Sequence, residues 1–301
     1  MSIVMGTPGV QDLEQVADIL SGWQYDGGPL HLHPGDLGWH SLRGAAATAG
    51  SLRVWSREGQ VLAIGLLDGP DGLLRMAVDP EVREDEELSR QLVADVQDPQ
   101  RGVLAGGGAI VEARGAMRFA GLLAQAGWRP DEPWTPLHRD LSSAVDEDLI
   151  VRARVRIETI GPDRVDSWVA VHWSAFKGTP FTEQDRRDFR DWWLTMANGP
   201  FYQRATSLAA FDDHDDAVAV ATVWSAGPGR PGLIEPMGVS RDHRGRGYGV
   251  AITVAAASAL REMRSSSAIV CAESSNTSAL STYLAAGFTA RDQVADLQRG
   301  A

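Results

Sequence analysis

The sequence predicts an α/β (α+β) chain made of two similar units in tandem, and three observations carry that expectation. An apolar run, Leu233 to Val239, passes through Arg244-Gly245-Arg246-Gly247-Tyr248-Gly249 into the apolar stretch Val250 to Leu260, the order of a strand, a tight turn and a helix. Landmarks recur at one spacing: Val78 and Val239, each closing a strand, lie 161 residues apart, and Gly127-Trp128 and Gly287-Phe288, each closing a helix, lie 160 apart, as an internal duplication requires. A length of 301 residues with 44% hydrophobic content suits two cores. The units are expected at residues 1–145 and 146–301.

The C-terminal unit reads clearly, element by element. Leu149 to Ile160 alternates Val151, Ala153, Val155 and Ile157 with Arg152, Arg154, Arg156 and Glu158, which predicts a half-buried strand with a charged outer face. Asp163 to Phe176 and Thr182 to Ala197 predict amphipathic helices, the second capped by Thr182 with Asp185 three residues on. Thr206 to Phe211 and Ala217 to Trp224 flank the polar turn Asp212-Asp213-His214-Asp215-Asp216. After the glycine-rich turn come a helix from Val250 to Met263, a strand from Ser267 to Glu273, and a helix from Ser278 to Ala286 stopped by Gly287.

A glycine-rich turn between a strand and a helix collects backbone N–H groups where no side chain obstructs them, which suits a pyrophosphate. Gly247 and Gly249 supply freedom and close approach, and Arg244 and Arg246 add positive charge. The turn lacks the Gly-x-Gly-x-x-Gly of dinucleotide folds and the Gly-Lys-Ser/Thr of nucleotide P-loops. Arg-x-x-Gly-x-Gly after Met237-Gly238-Val239, followed by Asn276, Tyr283 and Gly287-Phe288 in that order, resembles the GCN5-related N-acetyltransferase (GNAT) superfamily. The resemblance implies two tandem GNAT folds, each a mixed, mostly antiparallel twisted sheet flanked by helices. It also implies that acetyl-CoA is the cosubstrate, held by Met237, Gly238, Val239, the stretch Arg244 to Gly249 and Asn276.

Transferred at the same spacing, these positions show what the N-terminal unit has lost. Gly247 falls on Glu86, Gly249 on Leu88, Glu235 on Leu74, Asn276 on Ala116 and Tyr283 on Leu123; Arg83 alone remains, opposite Arg244. The run Glu84-Asp85-Glu86-Glu87 repels a pyrophosphate. This unit is therefore expected to be structural or to shape the other unit's substrate cleft. Gly106-Gly107-Gly108 precedes a strand and reads as a turn.

Acyl transfer to an ammonium requires a base to take its proton and an acid to protect the departing thiolate. Glu235, within the apolar strand, is the candidate base, since burial raises a carboxyl pKa; a strand-edge Glu paired with an arginine is the alternative. Pro236 beside it breaks the strand ladder and predicts a bulge or splay. Tyr283 resembles the family's general acid; the alternative is a core ring with a bonded hydroxyl. The resemblance implies that carbonyl polarisation falls to a backbone N–H near Val239. Asn276 holds the pantetheine arm or begins the next helix, with Thr277 and Ser278 as rival caps. Trp168, Trp173, Phe176, Phe181, Trp192 and Trp193 supply an acceptor pocket, several of them as core.

The expected reaction is direct transfer of an acetyl group from acetyl-CoA to a primary amine of a small molecule or peptide. A non-catalytic acetyl-CoA-binding module, and transfer to a thiol-sugar amine as in mycothiol synthases, which share the tandem plan, stay open. A net charge of −12 argues against nucleic acid and anionic membranes as partners. No basic leader precedes Met1-Ser2-Ile3-Val4 and no apolar run reaches membrane-spanning length, so a cytoplasmic monomer or homodimer is expected. Cys271 is the single cysteine, read as a small buried strand residue, and no metal is expected, since the histidines lack metal-ligand spacing. Lys177 is the single lysine, leaving 27 of 28 basic residues arginine, the usage of a GC-rich bacterial genome.

Overall fold

A computed structural model describes residues 2–69 and 72–300. The N-terminal half runs β1 (Val4–Gly6), α1 (Leu13–Gly22), α2 (Pro34–His40), α3 (Ala45–Ser51), β2 (Leu52–Arg57), β3 (Gln60–Asp68), β4 (Leu73–Val78), α4 (Glu86–Gln97), β5 (Ala109–Glu112), α5 (Met117–Gln125) and β6 (Arg129–Asp140). The C-terminal half runs α6 (Asp148–Arg152), β7 (Arg156–Thr159), α7 (Val165–Phe176), α8 (Glu183–Ala197), β8 (Ala205–Phe211), β9 (Ala217–Ser225), β10 (Gly232–Val239), α9 (Tyr248–Glu262), β11 (Ser267–Glu273), α10 (Thr277–Ala285), β12 (Thr289–Ala290) and β13 (Val294–Arg299). The two lists match from β1/β7 to α5/α10, except that the first half carries a third helix, α3, before its second strand. The shared helix stop is literal: Gly127 and Gly287 both take positive φ, 95° and 83°, and Trp128 and Phe288 donate their N–H groups to the carbonyls of Leu123 and Tyr283.

All strands join one sheet in the order β1-β2-β3-β4-β5-β13-β6-β11-β10-β9-β8-β7, with β12 beside β6. Among the described residues only β4–β5 and β10–β11 are parallel, each pair joined through a helix on the sheet's face. The halves exchange their last strands. β6 of the first half pairs with β11 of the second along seven residues, and β13 of the second pairs with β5 of the first. A residue pair such as Arg114 and Asp296, 182 positions apart, is thereby brought to 2.7 Å.

The core follows the exchange. One apolar cluster draws Leu13, Leu20 and Leu37 from the first half together with Trp168, Trp193 and Trp224 from the second. Burying side chains of that size stabilises by about 2–3 kcal/mol each. α2 approaches Trp224 closely because Gly35 and Gly38 face it: a Cβ on Gly38 would stand 2.1 Å from the indole and one on Gly35 2.6 Å from its Cβ.

The expected strand from Leu149 to Ile160 is corrected. Residues 148–152 form helix α6, Arg154 turns the chain at φ 52°, and the strand is only Arg156–Thr159. Leu149 and Ile150 pack on the cluster that includes α9, and Glu147 accepts a hydrogen bond from the Ser258 hydroxyl. Val151, which alternation would bury, is 73% exposed. Short apolar runs fit both periods, and packing against α9 decides here. No helix among the described residues is long and apolar enough to cross a membrane.

Candidate active site

β10 and β11 begin as neighbours and then part. They pair at Gly232 with Ala268 and at Leu233 with Ile269. Beyond that point β11 continues beside β6, while β10 stays with β9 through a bulge between Ile234 and Met237. Pro236 lacks the N–H that the ladder needs. The Trp224 indole N–H fastens the bulge by donating to the Glu235 carbonyl at 2.7 Å.

A cavity of about 680 Å³ opens at the split. Glu235, Met237, Cys271 and Tyr283 line it from the C-terminal half. Burial, then the Asp36 carboxylate, raises the Glu235 carboxyl to about 8, with the Arg75 guanidinium pulling the other way. Burial also raises the Tyr283 hydroxyl, helped by Glu235 and Cys271. The Tyr283 ring packs on Phe288 with centroids 5.9 Å apart. Cys271, expected to be buried, is half-buried on the cavity wall, and burial lifts its thiol to about 11, so it stays protonated at neutral pH.

The glycine-rich turn sits at the open end of β10. Gly245 and Gly247 have φ of 76° and 84°, a conformation that favours glycine, and a Cβ on either would project into open space. Gly249 works differently from expectation. A Cβ there would lie 3.0 Å from Thr282 and 3.3 Å from Val239, so the missing side chain lets α9 pack against α10. Gly238 likewise admits α7, whose Ala175 would stand 2.7 Å from an added Cβ. Gly247 precedes α9 with no side-chain cap, leaving the first amides of a fifteen-residue helix available to an anion. Tyr248 opens that helix, Arg246 is exposed beside it, and Arg244 donates to the Ala175 carbonyl at 3.1 Å. Asn276 caps α10, its side-chain oxygen accepting from the Ala279 N–H at 3.1 Å.

The matching corner of the N-terminal half is closed. Asp85 caps α4 by accepting the Leu88 N–H at 2.9 Å, and Arg57 pairs with it at 3.0 Å. A carboxylate thus occupies the anion position. Arg83 donates to the Tyr25 hydroxyl. Where the second half opens beside Met237, the first has Leu32 donating its N–H to the carbonyl of Met76 at 3.2 Å.

A share of this half in the substrate cleft is one of the two expectations from sequence, but the residues that supply it are not named there. Asp36 on α2, Arg75 on β4, Glu112 on β5 and Arg114 just beyond it all line the cavity. Arg75 reaches Glu112 at 3.2 Å, Asp36 at 3.7 Å and Asp68 at 3.1 Å. Arg114 grips Asp296 through two bonds of 2.9 and 2.7 Å. The available signal was a lone charge in each of two otherwise apolar strands, Leu73 to Val78 and Ala109 to Glu112. The expected aromatic set divides: Trp168 and Trp193 are core, whereas Trp173, Phe176 and Trp192 face the cavity. Phe181 packs on Trp173 with centroids 5.1 Å apart.

Known proteins share this fold. Residues 165–288 match the acetyltransferase (GNAT) family model. No curated protein matches the sequence. Among solved structures, a tandem GNAT protein from the clavulanic acid biosynthesis pathway superposes with a TM-score of 0.62 at 18% identity, over 99% of this chain and 98% of its own. FemX gives 0.61 at 10% identity over 99% and 97%. A GCN5-related N-acetyltransferase from Sphaerobacter thermophilus gives 0.56 at 19% identity over 99% and 95%. At these identities the likeness is one of fold, and it extends over both halves.

Proposed function

We infer that this chain, a tandem GNAT fold whose C-terminal half carries a domain of the acetyltransferase (GNAT) family, moves an acetyl group from acetyl-CoA to a primary amine of a small molecule or peptide. The observation that carries the reading is the cavity at the parting of β10 and β11, which holds a high-pKa carboxyl and a tyrosine hydroxyl together. The uncapped N-terminus of α9 and the open glycines before it suit the coenzyme's pyrophosphate. The parted strands leave room for the pantetheine arm to carry the thioester to Glu235.

In this reading Glu235 takes a proton from the bound ammonium, directly or through water, and the freed nitrogen attacks the thioester carbonyl carbon. The carbon–sulfur bond breaks and Tyr283 gives its proton to the departing sulfur. Cys271 remains a thiol and takes no covalent part. Met237, Gly238 and Val239 present the backbone edge beside the carbonyl, and Asn276 sets the start of α10, which carries Tyr283.

The test is acetyl-CoA with a panel of primary amines, followed by release of free thiol. Amine-dependent thiol release, reduced about 10²-fold in Glu235→Gln with coenzyme affinity retained, is the expected result. Coenzyme binding without turnover of any amine would instead favour a non-catalytic binding module.

A further inference from the structure

We propose that the acceptor is a primary amine carried on an aromatic, otherwise uncharged body, and that the two halves hold it between them with the ammonium toward the Asp36, Glu112 and Glu235 side. This rests on the acetyltransferase reading and adds the class of acceptor to it. Each wall of the cavity bears on the point separately.

One wall is chiefly aromatic, with Lys177 following Phe176 on it. Trp39 of α2 faces the His172 ring of α7 at 5.4 Å, His172 meets Phe176 at a tilt with centroids 4.6 Å apart and Phe189 of α8 at 4.8 Å, and Phe189 meets Trp192 at 6.2 Å. Burial holds the His172 ring neutral at working pH, so it acts as another flat plate and repels no cation. Phe176 and Trp192 are 50% and 52% exposed at the mouth. An aromatic body would cover them and take that apolar surface out of water.

The opposite side is polar and acidic. Asp36, Glu112 and Glu235 face the cavity with Arg75 and Arg114, and both arginines are already committed, Arg75 to Glu112 and Arg114 to Asp296. Burial, and after it the neighbouring Asp36 and Glu112 carboxylates, leave Glu235 holding a proton. An arriving ammonium can replace that proton and be held by the same groups. Each hydroxyl of a polyhydroxylated amine would need a partner that indole and phenyl faces do not provide. A carboxylate beside the amine would meet the Asp36 and Glu112 charges.

The probes are phenethylamine and tryptamine against ethanolamine, glucosamine and tyrosine, each measured twice: by equilibrium binding to the coenzyme A complex, and by thiol release with acetyl-CoA. The aryl amines should bind, and their kcat/KM should exceed that of the others by tenfold or more. Trp192→Ala, at an exposed position that should not disturb folding, should shrink the preference for phenethylamine over ethanolamine at least fivefold. Glu112→Gln should raise KM for phenethylamine with little change in the affinity for acetyl-CoA. Better use of glucosamine or tyrosine, no binding of aryl amines, or an unchanged preference in Trp192→Ala would overturn the proposal. Aryl amines that bind tightly, compete with one another, lose affinity in Trp192→Ala and yet are never acetylated would sink the acetyltransferase reading and leave this pocket assignment standing.

Discussion

Glu235 combines two properties that one titration can separate. Its carboxyl, ordinarily near 4.5, sits at about 8, so the proton-accepting form grows as pH rises through that value. With an amine of low pKa, kcat/KM should climb about tenfold per pH unit up to roughly pH 8 and then level; Glu235→Gln should lose the climb together with most of the rate. The folded state favours the protonated group, so the stability linked to it is full below pH 4.5 and is lost as pH rises through 8. The glutamine variant should accordingly melt at a more constant temperature across pH 6 to 9 than the parent. Tyr283 allows a cleaner separation. Its hydroxyl has no hydrogen-bond partner among the described residues, although its ring is buried. Tyr283→Phe should therefore lower kcat by tenfold or more and change stability by less than about 1 kcal/mol. A fast variant with an altered melting temperature would make the ring structural only.

At the level of elements, legibility followed locality. The helix stop at Gly287-Phe288, the cap at Thr182 and the strand Ser267–Glu273 stood in the sequence because a few neighbouring residues determine them. The β6 and β13 exchange did not, because nothing in a strand's own residues names its partner 127 or more positions away. Helix α6 was masked by an alternation that the surface of α9 overrides. The cavity was legible on the side that carries the motif, and hidden on the side where Arg75 and Glu112 act from strands without one. Arg75 connects β4 to the chemistry: its guanidinium lowers the Glu235 pKa against the carboxylates that raise it. Arg75→Gln should move the rising limb of kcat/KM to higher pH, with Arg75→Lys partly restoring it. The glutamine variant should also cost about 3 kcal/mol by leaving Glu112 and Asp36 without their partner. An unmoved limb in a folded Arg75→Gln protein would show that Arg75 is structural alone. Gly38 is the equivalent point on α2, where any Cβ must displace the Trp224 indole that holds the Glu235 carbonyl.

Across the whole molecule the halves are fastened by side chains as well as by the sheet. His33 donates from Nε2 to the Pro231 carbonyl at 3.2 Å while its Nδ1 accepts the Gly35 N–H at 2.9 Å, which requires the neutral ring. Burial holds His33 down to about 4, and His31 and His172 down to about 3, from an ordinary value of 6.5. The unfolded chain binds more protons between those values, so stability is full above pH 6.5 and falls as pH drops toward 4. Melting should decline through that window in step with a loss of transferase activity; a flat melting temperature from pH 7 to 4.5 would contradict the burial of all three rings. The same architecture gives the division of labour. One half offers an anion an uncapped helix start, and the other fills that position with Asp85. Calorimetric titration of acetyl-CoA tests this most directly. One equivalent should bind per chain, with at least tenfold weaker binding in Arg246→Glu, whose exposed side chain can change sign without disturbing the fold. Two equivalents of similar affinity, no binding at all, or full affinity in Arg246→Glu would contradict this division of labour.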